Sequence, residues 1–314
     1  MQKFMPWQAG VDIFFVISGF VIVHASAPLF GQPGGAVEFL RRRLARIVPL
    51  YWITTTAFLT ILLVSHTSIH ADIGGAAYII ASYLFIPWQR PDGVMQPAFG
   101  LGWTLNYELF FYVFFAAFLL LNRRPAVILA TIVLCVFVAF GVGIGFRNPQ
   151  LEFWSHPIVL EFAAGMGAAL GFANGLRLRT PACIGLVILA IAAFHLASFA
   201  PAGFRALIYG LPALMLVCAA TLGHVPERLN IFDMLLLRLG AASYAMYLVH
   251  PFIMRLFTAL WRRFHVLNEL SGIIYVVTGL VVAQLVALGI HATIEVRLSA
   301  ALRRAPKVLN NAAV

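Results

Sequence analysis

Residues 126–146 read Ala126-Val127-Ile128-Leu129-Ala130-Thr131-Ile132-Val133-Leu134-Cys135-Val136-Phe137-Val138-Ala139-Phe140-Gly141-Val142-Gly143-Ile144-Gly145-Phe146, with Arg123-Arg124 before the run and Arg147 after it. No charge interrupts the run, and a helix needs roughly 20 apolar residues to cross about 30 Å of hydrocarbon. Working outward, comparable apolar stretches lie at 9–28, 47–65, 74–88, 100–121, 157–174, 181–199, 205–223, 240–260 and 271–294. The chain of 314 residues is 62% hydrophobic and 10% charged, with a mean hydropathy of +0.94. A soluble domain is about 45–50% apolar and about 25% charged, so a soluble fold is excluded. The expectation is an all-α, polytopic integral membrane helical bundle of about nine to ten transmembrane segments, forming a single domain over 1–314. Cys135, Cys183 and Cys218 all fall inside apolar runs and read as packing residues rather than a disulfide framework.

Twenty-one Lys and Arg against eleven Asp and Glu give a net charge of +10. In a soluble chain that balance would raise nucleic acid as a partner. Here the cations cluster between apolar runs, which is the positive-inside pattern. Arg41, Arg42, Arg43 and Arg46 mark one cytoplasmic loop, and residues 295–314, with Arg297, Arg303, Arg304 and Lys307, read as a cytoplasmic basic tail. The stretch at 74–88 is short, ending at Pro87 and the polar string Trp88-Gln89-Arg90-Pro91-Asp92. If it enters the membrane without crossing, Arg123/Arg124, Arg177/Arg179, Arg228/Arg238 and the tail all become cytoplasmic, and Arg262 and Arg263 remain misplaced. Nine full spans are therefore preferred, with Met1 outside and the C-terminus inside. Lys3, the run at 11–23 and Ala25-Ser26-Ala27 imitate a leader peptide, but Asp12 sits at the mouth of the supposed core and favours a span.

Ionisable and amide groups are costly in hydrocarbon, so those inside the runs are candidate site residues. They are Asp12, Asn106, Glu108, Glu161, His250 and Arg255. Helical spacing separates Asn106 from Glu108. It groups Trp103 with Asn106 and Tyr107, and Glu108 with Thr104, Phe111 and Tyr112. Glu108 reads either as a carboxylate hydrogen-bonded between helices or as a pocket residue. In Tyr247-Leu248-Val249-His250-Pro251 the proline is expected to free the carbonyl of Met246 and to kink the span where the imidazole lies. The basic stretch at 41–46 reads either as an anchor for anionic headgroups or, because Arg43 and Arg46 share a face, as a bidentate phosphate clamp for a cytosolic donor. His66, His70 and Asp72 have a spacing that could hold a metal on a helix, but Gly74-Gly75 follow and no further ligand is near, so no metal is expected. Gly141, Gly143 and Gly145 lack the strand and helix start of a phosphate loop, while Gly167, Gly171 and Gly175 suggest close helix packing.

Four motifs in order carry a resemblance: Gly10-Val11-Asp12-Ile13-Phe14-Phe15-Val16-Ile17-Ser18-Gly19-Phe20; Arg43-x-x-Arg46-x-x-Pro49; Gly102-Trp103-Thr104-Leu105-Asn106-Tyr107-Glu108-Leu109-Phe110-Phe111-Tyr112; and Leu239-Gly240-Ala241-Ala242-Ser243-Tyr244-Ala245-Met246-Tyr247-Leu248-Val249-His250-Pro251. Together they are similar to the membrane acyltransferase-3 family, in its exopolysaccharide O-acetyltransferase-like branch. The resemblance implies a multi-pass protein of the bacterial inner membrane. It would move an acyl group, acetyl above all, from cytosolic acyl-CoA to a hydroxyl of a surface or lipid-linked glycan. It implies donor binding by Arg43 and Arg46 and catalytic roles for Glu108 and His250. Asp12, Trp103, Asn106, Tyr112, Glu161 and Tyr247 would line the pocket. Acyl-CoA enters as a substrate, and no bound cofactor is implied. Relatives open with a helix carrying an arginine and, ten residues on, a histidine base; nine residues precede Gly10, so the chain is expected to lack that helix. A transporter or flippase would line its pathway with Asp12, Glu108, Glu161 and His250, but transporters commonly show inverted repeats and none is found; an inactive scaffold in polysaccharide assembly is the other alternative.

Overall fold

The computed structural model describes residues 9–64, 75–90, 92–197, 199, 205–223, 229–263 and 269–303. The helices are α1 (Ala9–Ala25), α2 (Gly35–Val64), α3 (Ala76–Tyr83), α4 (Trp103–Phe118), α5 (Arg123–Gly143), α6 (Pro149–Trp154), α7 (Leu160–Ala173), α8 (Thr180–Ala197), α9 (Leu211–Leu222), α10 (Ile231–Ala241), α11 (Ser243–Arg263), α12 (Glu269–Ile290) and α13 (Val296–Arg303). Among the described residues there is no strand, only an isolated antiparallel bridge between Gln89 and Met95. His66, His70 and Asp72 lie outside the described residues.

Among the described residues five helical segments are long and apolar enough to cross a membrane: Gly35–Val64, Gly100–Phe118, Arg123–Gly143, Thr180–Ala197 and Gly272–Leu302. The bent pair α10 and α11 makes a sixth if it is one span, and Ala9–Ala25, Pro157–Ala173 and Ala206–Leu222 are shorter apolar helices. By length alone the count is thus five or six, below the nine to ten expected. Large apolar side chains stand outward along them, such as Ile188 and Ile191 on α8 and Leu280 and Leu285 on α12. Such faces suit a lipid surround, where backbone polar groups must be satisfied within each helix.

The chain divides into two compact units, Met1–Leu40 with Ala71–Val225, and Arg41–His70 with Pro226–Val314, the boundary falling inside α2. In the first unit α1 packs on α7, and Phe162 is the hub: Phe15 lies 4.7 Å from it and Phe111 4.3 Å, ring centre to ring centre. The crossing depends on Gly19 and Gly165, because a Cβ on Gly19 would meet the Phe162 carbonyl and one on Gly165 the Val16 carbonyl. Small residues permit such approach of two helix backbones. Gly167, expected at a helix contact, faces open space. The glycines at 141–145 close α5 at its C-terminal end, where no anion site forms.

Within this unit α1 and α4 run the same way. Phe15 near the start of α1 meets Trp103 edge-on at 6.4 Å, and beyond the end of α1 the Gly31 N–H donates to the Leu119 carbonyl at 2.9 Å, just past α4. Between them the 74–88 stretch forms only α3, of eight residues. At 1.5 Å per residue that is about 12 Å of helix, too short to cross.

In the second unit α11 packs on α12, with Thr258 Oγ1 2.7 Å from the Tyr275 hydroxyl. Helix α11 runs through Pro251, whose missing N–H opens the Tyr247 carbonyl, four residues back, and not that of Met246, and a sharp bend, 65°, falls between α10 and α11 at Ala242. Gly240, Ala241 and Ser243 surround it, and small residues of this kind are a common cause of helix breaks.

Candidate functional site

The first unit gathers polar groups at the starts of α1, α4 and α7, together with Arg205, which precedes the π-helical turn Ala206–Gly210 that leads into α9. Asp12, in the first turn of α1, has no exposed surface. Its carboxylate accepts two hydrogen bonds from Arg205, Nε to Oδ1 at 3.0 Å and Nη2 to Oδ2 at 2.7 Å. A helix N-terminus favours the acid, and the planar guanidinium fits it in fork geometry. Glu161, in the first turn of α7, is almost fully buried. Among the described residues neither of its oxygens has a hydrogen-bond donor, and the group it faces is the Asp12 carboxyl. Two acids therefore share one arginine. His156, just before α7, is held below the ordinary imidazole range, first by burial and then by the charge of Arg205.

Glu108 and Tyr112 meet on α4, as their spacing predicts. Glu108 Oε1 accepts from the Tyr112 hydroxyl and, at 3.2 Å, from Ser18 Oγ on α1. Trp103 and Tyr107 lie edge-on to each other and to Phe15, and the Tyr107 hydroxyl donates to the Phe153 carbonyl at 2.8 Å. Asn106 is buried, and neither of its amide atoms has a hydrogen-bond partner. Such a group is costly unless something else satisfies it.

The remaining sequence candidates belong to the second unit. Pro49 and Pro251 explain how they are held. A proline has no N–H, so Pro49 leaves the Ala45 carbonyl without its helical donor; Ser299 Oγ of α13 supplies one at 3.0 Å. The Tyr244 hydroxyl donates to the Ile47 carbonyl at 2.6 Å. Arg46, between the two carbonyls, is thus fixed by side chains from α11 and α13. It lines a cavity of about 540 Å³ with Ala241, His291, Glu295, Val296, Ser299 and Ala300. His291 and Glu295 pair with each other on one wall of it, Nδ1 to Oε2 at 2.9 Å, within a π-helical stretch joining α12 to α13. Pro251 likewise deprives the Tyr247 carbonyl, and His250 Nδ1 lies 2.8 Å from it. Tyr247 also packs its ring toward that imidazole, 6.3 Å between centroids.

The structure therefore brings Asp12 and Glu161 together, and Glu108 with Tyr112. It sets Arg46 in a cavity and gives His250 to the other unit from Glu108. The sequence reading does not single out Arg205, His291 or Glu295. Arg205 stands at the head of an apolar run, and the spacing of His291 and Glu295 by four, at the end of the last run and just past it, is a signal that was available. Among the described residues no cluster of metal-ligating side chains is found.

The chain is 31% identical over 254 residues to the exopolysaccharide production protein ExoZ of Rhizobium meliloti (strain 1021), covering 80% of this chain and 78% of that protein. It is 27% identical over 269 residues to the acyltransferase MdmB of Streptomyces mycarofaciens, covering 78% of this chain and 67% of that protein. No solved structure matches it. The acyltransferase domain family matches residues 7–292, which takes in all four motifs and ends before α13, and the chain accordingly belongs to the acyltransferase-3 family, as a membrane enzyme that transfers acyl groups other than aminoacyl groups.

Proposed function

We propose that the protein moves an acyl group, acetyl above all, from cytosolic acyl-CoA to a hydroxyl of an exopolysaccharide or another surface glycan, as a multi-pass enzyme of the bacterial inner membrane. The observation that carries the donor side is the cavity holding Arg46. It is bordered by two segments, the basic stretch at 41–46 and the start of the basic tail at 295–300, that the charge pattern assigns separately to the cytoplasm. Arginine is suited to phosphate, the charged part of a CoA donor. The glycan acceptor is supported by the similarity to an exopolysaccharide production protein. Replacing Arg46 with alanine is expected to raise the KM for acyl-CoA roughly 10-fold or more, the worth of a charge-assisted hydrogen bond, with a smaller change in kcat. An unchanged KM would return the loop to membrane anchoring.

Nine spans fit this reading. Helices α1, α4 and α7 carry Asp12, Trp103 and Glu161 near their starts, at one end of the first unit, and all three run the same way only if the α3 segment enters without crossing. A reporter fused after Arg124 is expected to signal cytoplasm. An extracytoplasmic signal there would make 74–88 a full span and overturn the count.

A further inference from the structure

We infer that the cavity beside Arg46 is a phosphate-binding site in which His291, held by Glu295, supplies a second donor. This rests on the proposed donor reading and names residues outside it. The argument starts from cost. A histidine and a glutamate at the end of the last apolar helix must be desolvated, and replacing such a pair with well-packed apolar residues is often neutral or stabilising. Glu295 is 5% exposed, yet it borders an open cavity rather than filling a dry core. Alone it would repel an anion. Paired at 2.9 Å with His291 Nδ1, it is turned to the imidazole instead of to the cavity. With Nδ1 held in this way, Nε2 is the ring nitrogen left for an incoming phosphate, as an N–H donor in the same cavity as Arg46.

The backbone around the pair is specialised too. His291–Glu295 is a π-helical turn, a departure from α-helix that is rare and frequently found at functional sites. Ser299, one turn on, reaches across to the carbonyl that Pro49 leaves open, so the segment carrying His291 and the one carrying Arg46 are tied by a direct hydrogen bond. An arginine and an imidazole on separate elements, with one carboxylate that orients the imidazole, make the clamp. That suits a phosphate monoester or diphosphate better than a neutral sugar. A volume of about 540 Å³ is within the range of small-molecule sites, about 300–1,000 Å³. The same chemistry is offered by a CoA phosphate and by a phospholipid headgroup.

The test is binding to the full chain in a nonionic detergent, with CoA and pantetheine as probes, and then in nanodiscs with or without phosphatidylglycerol. Each variant is first checked for a wild-type melting profile. His291→Ala is expected to weaken CoA binding roughly 10- to 100-fold while pantetheine, which has no phosphate, binds as before. His291→Arg should restore most of the affinity by returning an N–H donor, and Glu295→Gln should cost less than His291→Ala. If His291→Ala does not melt normally, His291→Gln takes its place. CoA affinity that falls in Arg46→Ala but not in the His291 variants would overturn this inference and leave the donor reading intact. No saturable CoA binding by the unaltered chain would overturn the donor reading itself. Competition by phosphatidylglycerol that depends on His291 would uphold the phosphate site and identify its source as lipid.

Discussion

Arg205→Ala is expected to destabilise the protein by about 3–5 kcal/mol, the usual consequence of removing one partner from a buried ion pair. Asp12 has no exposed surface, and the two bonds it accepts from Arg205 are the ones described for its carboxylate. With the guanidinium gone, its charge would lie in an apolar site against a second carboxyl group, that of Glu161. The double variant Asp12→Asn/Arg205→Ala should recover part of the loss, because no full negative charge is then stranded at that position. Unfolding by heat or denaturant in detergent measures both. A loss below about 1 kcal/mol for Arg205→Ala would put the pair in the class of solvated ion pairs and remove its claim to organise the helix starts.

That cluster also shows where sequence reading reaches its limit. The burial of Asp12 and Glu161 follows from their place inside apolar runs, because an acid there must find a partner. The identity of the partner does not follow. Arg205 is 193 residues from Asp12 in the chain and stands at the edge of a run, where a cation reads as an interfacial anchor. Pairing at that distance is set by which helices pack together, and the hydropathy pattern says little about it. The helical class, the short third segment and the pairing of Glu108 with Tyr112 are local properties and were legible. The bend was not. Proline at 251 is the stronger local breaker, but His250 Nδ1 serves the carbonyl it deprives, so the helix continues there and breaks instead at the small residues around Ala242. The same logic ties Arg46 to α13. Pro49 in the Arg43-x-x-Arg46-x-x-Pro49 motif announces an open carbonyl, and only the fold reveals that Ser299 fills it.

His250→Asn is expected to lower the turnover of acyl transfer by roughly 10²–10⁴-fold, the range of general acid–base catalysis, if the proposed chemistry runs through this imidazole. A carbonyl oxygen only accepts hydrogen bonds, so His250 Nδ1, 2.8 Å from the Tyr247 carbonyl, must carry the hydrogen. In the neutral ring Nε2 then holds the lone pair. That is the tautomer a general base needs, oriented by a backbone acceptor where many hydrolases use a carboxylate. As the acceptor hydroxyl attacks the thioester carbonyl, Nε2 would take its proton; as the carbon–sulfur bond breaks, the departing thiolate would take that proton back. Asparagine can still donate to the Tyr247 carbonyl, so this variant keeps the helix repair and removes only the base, whereas His250→Ala removes both. Equal losses of turnover in the two variants, with an unchanged KM for the donor, are the expected result when transfer from labelled acetyl-CoA to membrane glycan is measured. Glu108→Gln separates the other proposed catalytic group from its packing role. The amide oxygen can accept from Ser18 and Tyr112 as Oε1 does now, so the contact between α1 and α4 survives while the charge is lost. A fall in turnover without a fall in melting temperature would assign Glu108 to the chemistry. Unchanged turnover would leave it as the hydrogen-bonded link between those helices and place the whole proton-transfer burden on His250.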